Sequence, residues 1–435
     1  MQFKKSLIIL LAFVLIMGMF TGCGKAAAEP ANTESSPAVS EGSEVTPSAE
    51  PATEEVSQGV TDTEILIGNS AATSGAFAPI GLPFIHGIEA YLEAVNSAGG
   101  IDGRKIKFIH YDDEFDPATT AQYLEKLLFE DKVFSVVGHF GSPCIAATLM
   151  DLEDSGVPAV YFAGGVADLY STDDPERTIY PVQPIYSYEG KIMSAYAINY
   201  FKATKVAIIY TNNEAGINTF EGIKEQLATY PDITIVAVES VSPGLTDATA
   251  QVLKVKEAAP EVIIIPSLSA ELAPVLKTME QQGVTGIPVV TTYSNVSSVF
   301  VDSNYNEASK VMENLYGLGW VDLESNPKVW EDFVANMTKL GYQDELNAYS
   351  ATGWIAGSFF TEGVRRVADN GQVLNFKNYM EALESAPIQN PFGGSISYAD
   401  GMRTGTQQMV LSKVDVNSPS KWTSVTGFFG IDDLK

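Results

Sequence analysis

Three short stretches of this chain combine glycine with small polar side chains in a way that suits gripping a ligand. They are Asn69-Ser70-Ala71-Ala72-Thr73-Ser74-Gly75, Gly138-His139-Phe140-Gly141-Ser142 and Ala163-Gly164-Gly165. Free backbone N–H groups at a helix start, with a hydroxyl beside them, bind anions such as carboxylates, and glycine lets backbone approach a ligand closely. Each stretch also has a plainer use: Ser142 as a helix cap, the glycines as tight turns. Groups that would break bonds are not arranged to do so. His86, His110 and His139 lie far apart without metal-ligand spacing and read as structural histidines. Asp112, Asp113, Glu114 and Asp116 form an acidic cluster that lacks the ligand alternation and the glycine of an EF-hand loop. The sequence has no Gly-x-Ser-x-Gly elbow, Walker loop or dinucleotide fingerprint, so neither a catalytic residue nor a cofactor is expected. Cys144, just inside a predicted helix, is either a thiol of lowered pKa or a small buried residue, and no obvious base accompanies it.

The elements that must position these stretches alternate strand and helix. Ile65–Ser70 reads as a strand and Ile80–Asn96 as a helix. Strand Lys105–Tyr111, a helix from Asp116, strand Val133–Gly138, a helix from Ser142 and strand Val157–Ala163 follow. Asp116-Pro117 pairs a capping carboxylate with proline at the first helical position, and Ser142-Pro143 repeats the device. The rhythm then restarts. Strands at Lys205–Tyr210, Ile233–Val241, Glu261–Pro266 and Pro288–Thr292 alternate with helices at Glu214–Tyr230, Thr246–Ala258 and Ala270–Gly283. A continuous apolar run such as Val262–Ile265 suits a parallel sheet covered on both faces, and two βα series imply an α/β protein of two doubly wound lobes. After about Trp320 the pattern turns helical, at Asn326–Leu340, Asp344–Asn370 and Asn375–Ser385. Strands near Ser395–Tyr398 and Gln407–Lys413 come last, as if the chain recrosses between lobes. The three gripping stretches fall at carboxyl ends of strands, where open parallel sheets bind ligands.

Composition narrows the partners. The 435 residues include 26 basic and 54 acidic ones, a formal charge of −28 that repels phosphate backbones and anionic headgroups. Nucleic acid is therefore not an expected partner. At the N-terminus, Lys4 and Lys5 precede an apolar run from Leu7 to Phe20, broken only by Gly18 and followed by Thr21-Gly22-Cys23. The run is shorter than the roughly 20 residues of a membrane-spanning helix and has the layout of a secretory signal, residues 1–22. The small residue before Cys23 resembles a bacterial lipobox, which implies lipidation of that thiol; Phe20 stands where leucine is usual. From Gly24 to Gly59 the chain is mostly Ala, Glu, Pro, Ser and Thr, with no aromatic residue. Such a stretch cannot offset its chain entropy by burial, so 23–59 is expected to be a disordered tether. With Cys23 lipidated, Cys144 has no intrachain partner and the core must be stable without a disulfide.

Four segments carry a likeness to a known family: Ile67-Gly68 through Gly75, Asn96-Ser97-Ala98-Gly99-Gly100-Ile101-Asp102-Gly103-Arg104, Tyr111-Asp112-Asp113 with Asp116-Pro117, and Val137-Gly138-His139. With the spacing of the remaining elements they resemble, over roughly residues 60–430, the Leu/Ile/Val-binding branch of periplasmic solute-binding proteins of the type I fold. The resemblance implies two lobes joined by three crossovers that close on a small molecule, the closed form docking on the permease of an ABC importer. Residues 60–184 with 320–390 would form the first lobe and 185–319 with 391–435 the second. The protein would be monomeric, exported and lipid-anchored on the outer face of the cell membrane.

In that family the positions holding an amino acid's carboxylate correspond to Ser142 and the Ala163–Gly165 loop, with Gly165 replacing the usual hydroxyl residue. The acid that grips the ammonium should lie near Thr291–Tyr293, where this sequence has no carboxylate. Positions often aromatic in amino-acid binders correspond to Ile80, Ala215 and Leu268. A buried ammonium without an anionic partner costs several kcal/mol. The expected ligand is therefore an amino acid if Glu214 or another acid substitutes, and otherwise a small carboxylate, amide or aromatic compound. Phe77, Phe140, Phe162 and Tyr293 are candidates to line such a pocket, with Ser74, Gly141, Ser142, Ala163, Gly164, Gly165 and Leu268 as further contacts. Two other readings share these observations. A sensor of the same fold would feed a signalling partner in place of a permease, and an exported enzyme would use the cleft but needs a nucleophile and base that the sequence does not offer.

Overall fold

The computed structural model describes residues 55–434 apart from 173, 176, 324 and 419. The signal segment, Cys23 and the tether up to residue 54 lie outside the described residues.

The first βα series builds a five-stranded sheet. Its strands are β1 (Glu64–Ala71), β2 (Lys105–Asp112), β3 (Ser135–Phe140), β4 (Ala159–Ala163) and β5 (Ile179–Tyr180), all parallel, in the order β2-β1-β3-β4-β5. Helices α1 (Ala78–Ser97), α2 (Pro117–Glu125) and α3 (Ser142–Ser155) connect them. Asp116 caps α2 as its sequence predicts, its side chain accepting from Thr119 N with Pro117 in the first turn. The folded part starts earlier than expected. Gln58 Nε2 donates to Val133 O and Ser57 N to Leu374 O, so the tether assigned to 23–59 gives its last residues to the fold.

The second series opens with α4 (Tyr186–Asn199) and β6 (Lys205–Thr211), then runs α5 (Glu214–Leu227), β7 (Thr234–Val241), α6 (Thr249–Ala258), β8 (Val262–Ile265), α7 (Ser269–Gln281), β9 (Val289–Thr291), α8 (Ser298–Met312) and β10 (Leu315–Gly319). The chain then returns to the first lobe through α9 (Pro327–Leu340), α10 (Ala348–Asp369) and α11 (Phe376–Glu384), followed by a ribbon of β11 (Ile388–Gln389) with β12 (Ser395–Ile396). Strands β13 (Val410–Val414) and β14 (Trp422–Ser424) follow; β13 pairs antiparallel with β10 and β14 antiparallel with β13, completing a seven-stranded sheet of order β14-β13-β10-β9-β8-β6-β7. Every residue of β8 is fully buried, and each large aliphatic side chain so placed contributes about 1.5–3 kcal/mol.

Each lobe owes one tight helix crossing to glycine. A Cβ on Gly87 of α1 would lie 1.9 Å from Ser350 O of α10, and one on Gly222 of α5 1.8 Å from Ser187 O of α4. No larger residue fits at either crossing.

Three crossovers join the lobes and are bonded to one another. Thr406 N and Oγ1 both donate to Val182 O, tying the third crossover to the first, and Asp322 N donates to Phe392 O, tying the second to the third. Arg403 anchors the third crossover with a fully buried guanidinium. It pairs with Glu384, donates to Arg177 O and lies 4.2 Å from the centre of the Tyr180 ring. Among the described residues no helix is long and apolar enough to cross a membrane.

Candidate functional site

Both sheets aim the carboxyl ends of their strands at one cavity of about 160 Å³ between the lobes. Its first-lobe wall is aromatic. Phe77 stacks on Phe115 with ring centres 3.8 Å apart and planes at 18°, and Phe115 meets Phe140 edge-on at 6.1 Å. The carboxyl ends of β1, β2 and β3 thus deliver one ring each, Phe77 and Phe115 from the segments that follow and Phe140 from the strand itself. Gly141 lets them close up: with φ +90, a Cβ there would strike the Phe115 ring at 2.4 Å. The opposite wall comes from Leu268 after β8, from Tyr293, Ser294 and Val296 after β9, and from Trp320 and Val321 after β10. Gln183 and Tyr186 of the first crossover complete it.

Polar groups on this second wall form a chain of bonds. The carboxylate of Glu189, fully buried in α4, accepts from Tyr293 N at 2.8 Å and from Thr292 Oγ1 at 3.0 Å. Tyr293 OH donates to Gln183 Oε1 at 2.9 Å, and Gln183 Nε2 donates to Tyr161 OH on β4 at 2.7 Å. The chain therefore runs from the second lobe through a crossover into the first. Burial outweighs the two hydrogen bonds at Glu189 and lifts its carboxyl to a pKa of about 7. Two further contacts bridge the lobes: Ser142 Oγ lies 3.1 Å from Tyr186 OH, and Tyr349 OH donates to Ser294 O at 3.1 Å.

Seven of the residues expected to contact a ligand face this cavity: Phe77, Phe140, Gly141, Ser142, Ala163, Leu268 and Tyr293. Ser142 is not the helix cap. Gly141 holds the capping position with no side-chain bond, and Ser142 is the first helical residue, its hydroxyl turned to Tyr186. Ser74, Gly164 and Gly165 are not part of the wall. Ser74 N donates to Asp112 Oδ1, fastening the loop after β1 to the end of β2. A Cβ on Gly164 would press on Ile145, and one on Gly165 would lie 2.6 Å from Pro184 O. Gly165 serves the passage of the first crossover, its carbonyl accepting from Tyr186 N. Phe162 is also misplaced. It is buried in the satellite core behind the sheet, against His139, while its neighbour Tyr161 faces the other side. Glu214, the expected substitute acid, is exposed at the start of α5 and outside the cavity wall.

The other candidate groups serve the fold. His110 bonds to Thr73 Oγ1 and Asn69 Oδ1, His139 to Thr148 Oγ1, and burial depresses both pKa values to about 4. The acidic cluster spends its oxygens on backbone: Asp112 accepts from Thr73 N and Glu114 N, and Asp113 from Phe115 N. Cys144 is buried, which pushes its thiol up to about 11. Residues that the sequence did not single out include Gln183, Tyr186, Ser294, Trp320 and Tyr349 on the wall, and Glu189 behind it.

A profile of the periplasmic binding protein family matches residues 64–420. The chain belongs to that family. An amino acid binding protein of Pseudomonas aeruginosa is 28% identical over 222 residues, which cover 51% of this chain and 59% of that protein. The chain thus matches less than two thirds of that relative's length. Among solved structures, a fatty acid ABC transporter substrate-binding protein from Thermomonospora curvata superposes with a TM-score of 0.73 at 17% identity, covering 86% of this chain and 95% of the other. A branched chain amino acid ABC transporter from Thermus thermophilus with bound valine gives 0.73 at 17%, covering 85% and 97%. At such identity these two likenesses establish a shared two-lobed fold.

Proposed function

We propose that this periplasmic binding protein is the extracytoplasmic capture component of an ABC importer, binding a small solute between its lobes without altering it. One observation carries the reading: a cavity walled by both lobes and a crossover, at the carboxyl ends of two parallel sheets. A ligand touching both walls favours the closed arrangement by its differential affinity for it. The ligand class at this level is an amino acid or a related small carboxylate, amide or aromatic compound. The first lobe comprises 60–184 with 320–390 and the second 185–319 with 391–435. Lys4, Lys5, the apolar run to Phe20 and Thr21-Gly22-Cys23 support export with a lipid anchor at Cys23. Nothing facing the cavity pairs a nucleophile with a base, which is why binding is preferred to turnover.

A thermal-shift screen over amino acids, amides, carboxylates and aromatic acids tests capture, because a solute that binds only the folded state raises its melting temperature. A protein that no member of these classes stabilises would contradict the reading. Cys23→Ser should release a soluble, ligand-competent protein, and retention on membranes would contradict anchoring at that residue.

A further inference from the structure

Resting on that capture reading, we propose that the cleft selects compact monocarboxylates with an apolar body and turns away α-amino acids of the same shape. Among the described residues, the cavity wall contains no Asp, Glu, Lys, Arg or His. An ammonium placed there has no counter-charge, and its lost hydration is not repaid by neutral oxygens. The carboxylate of Glu189, which reaches Thr292 and Tyr293, does not stand in. Both oxygens of Glu189 are committed to Thr292 Oγ1 and Tyr293 N, and its side chain is sealed behind the wall. Thr291–Tyr293 thus lacks an acid of its own, and the acid that reaches it is spent on backbone and hydroxyl.

Size and shape are set by the aromatic side. A volume of about 160 Å³ is close to the roughly 150 Å³ of an apolar cavity that accepts one benzene ring. The rings of Phe77, Phe115, Phe140 and Trp320 suit a flat or branched hydrocarbon of that size. One end of the ligand must still be polar. Ser142 opens helix α3 on the wall, where first-turn N–H groups and the helix dipole favour an anion. Its hydroxyl and that of Tyr186, 3.1 Å apart, lie beside this helix start. Ser294 also lines the wall, and its buried Oγ is bonded to no protein atom. An anion is satisfied by these donors, whereas an ammonium, itself a donor, meets no charged acceptor on the wall.

The test uses matched pairs that differ only by the ammonium, titrated calorimetrically into the full-length protein in detergent. These are 3-phenylpropanoate against phenylalanine and 4-methylpentanoate against leucine. The deaminated member of at least one pair should bind about thirtyfold or more tightly than its amino acid. Equal or tighter binding of the amino acids would overturn the inference while leaving capture intact. So would silence of both pairs alongside a stabilising hit from another class. Silence of the pairs and of the whole screen would overturn both. 3-Phenylpropanamide binding as well as the acid would remove the anionic part. As a converse test, Ser294→Asp places a carboxylate on the wall and should reverse the preference within each pair; unchanged preference in a folded variant would also count against the inference.

Discussion

The two walls of the cleft hold their shape by different physics. On the first lobe, Phe77, Phe115 and Phe140 pack ring on ring, and no hydrogen bond fixes them. On the second, Glu189, Tyr293 and Gln183 are fixed by short directional bonds that end at Tyr161 across the hinge. Apolar packing tolerates a change of similar volume. A hydrogen-bonded chain does not, since removing one member leaves a buried partner unsatisfied. The first wall therefore tolerates changes of similar volume, and the second ties the two lobes together.

Breaking the aromatic wall should have the largest effect. Phe140→Ala should cost about 3–5 kcal/mol of stability and abolish ligand-induced stabilisation, whereas Phe140→Leu should cost much less; urea unfolding with and without ligand checks both. Equal costs would mean that packing does not define this wall.

The next effect concerns the buried acid and depends on pH. Glu189 titrates near 7 in the folded protein and near 4.5 unfolded, so folding favours its protonated form. Its contribution is fully present below about pH 4.5 and is lost as pH rises through 7, amounting to roughly 3 kcal/mol by pH 8. Glu189→Gln keeps an acceptor and carries no charge, so its stability advantage over the native protein should grow from near zero at pH 4.5 to that order at pH 8. His110 and His139 act in the opposite direction: with folded values of about 4, they lower stability in both proteins as pH falls from about 6.5 towards 4. A difference between variant and native protein that ignores pH would show that Glu189 stays ionised.

Ser142→Ala should weaken ligand binding about tenfold or more, the scale of a hydrogen bond to a charged group, while loss of its bond to Tyr186 OH lowers the unliganded melting temperature by only about 2–4 °C. Full-strength binding would remove Ser142 from the site. The smallest effect belongs to Tyr349→Phe, which deletes the bond to Ser294 O. It should shift the balance towards open lobes by about fivefold, near 1 kcal/mol, visible as a larger radius of gyration in small-angle scattering. An unchanged radius would mean that this contact does not hold the lobes together.

The parts of the fold that could be read in the sequence were those with one-dimensional signatures. Asp116-Pro117 announces α2, and the run Val262–Ile265 is β8. Helix α4 gave no signal because almost all of its turns are buried, including Glu189 and Tyr196, which leaves no polar face to mark a period. Strand β10 carries no strand signature because Gly317 and Gly319 interrupt it. Gly317 is required there, since a Cβ would meet Val296 at 2.4 Å. Strand-end residues of the site could be placed because strand ends point at a cleft. Gln183, Tyr186 and Trp320 stand on crossovers, whose paths no local pattern specifies. Phe162 went wrong for a simpler reason: adjacent strand residues face opposite ways, and composition alone does not say which one looks inward.

The order in which the strands are recruited bears on how the chain is made. The seven-stranded sheet is incomplete without β13 and β14, the last strands of the polypeptide, and the first lobe lacks α9, α10 and α11 until residue 384 has appeared. Neither half can seal while much of the chain is still emerging, and contacts so distant in sequence form slowly. A polypeptide of this design keeps both lobes open until its C-terminal strands have appeared, and then condenses as one unit.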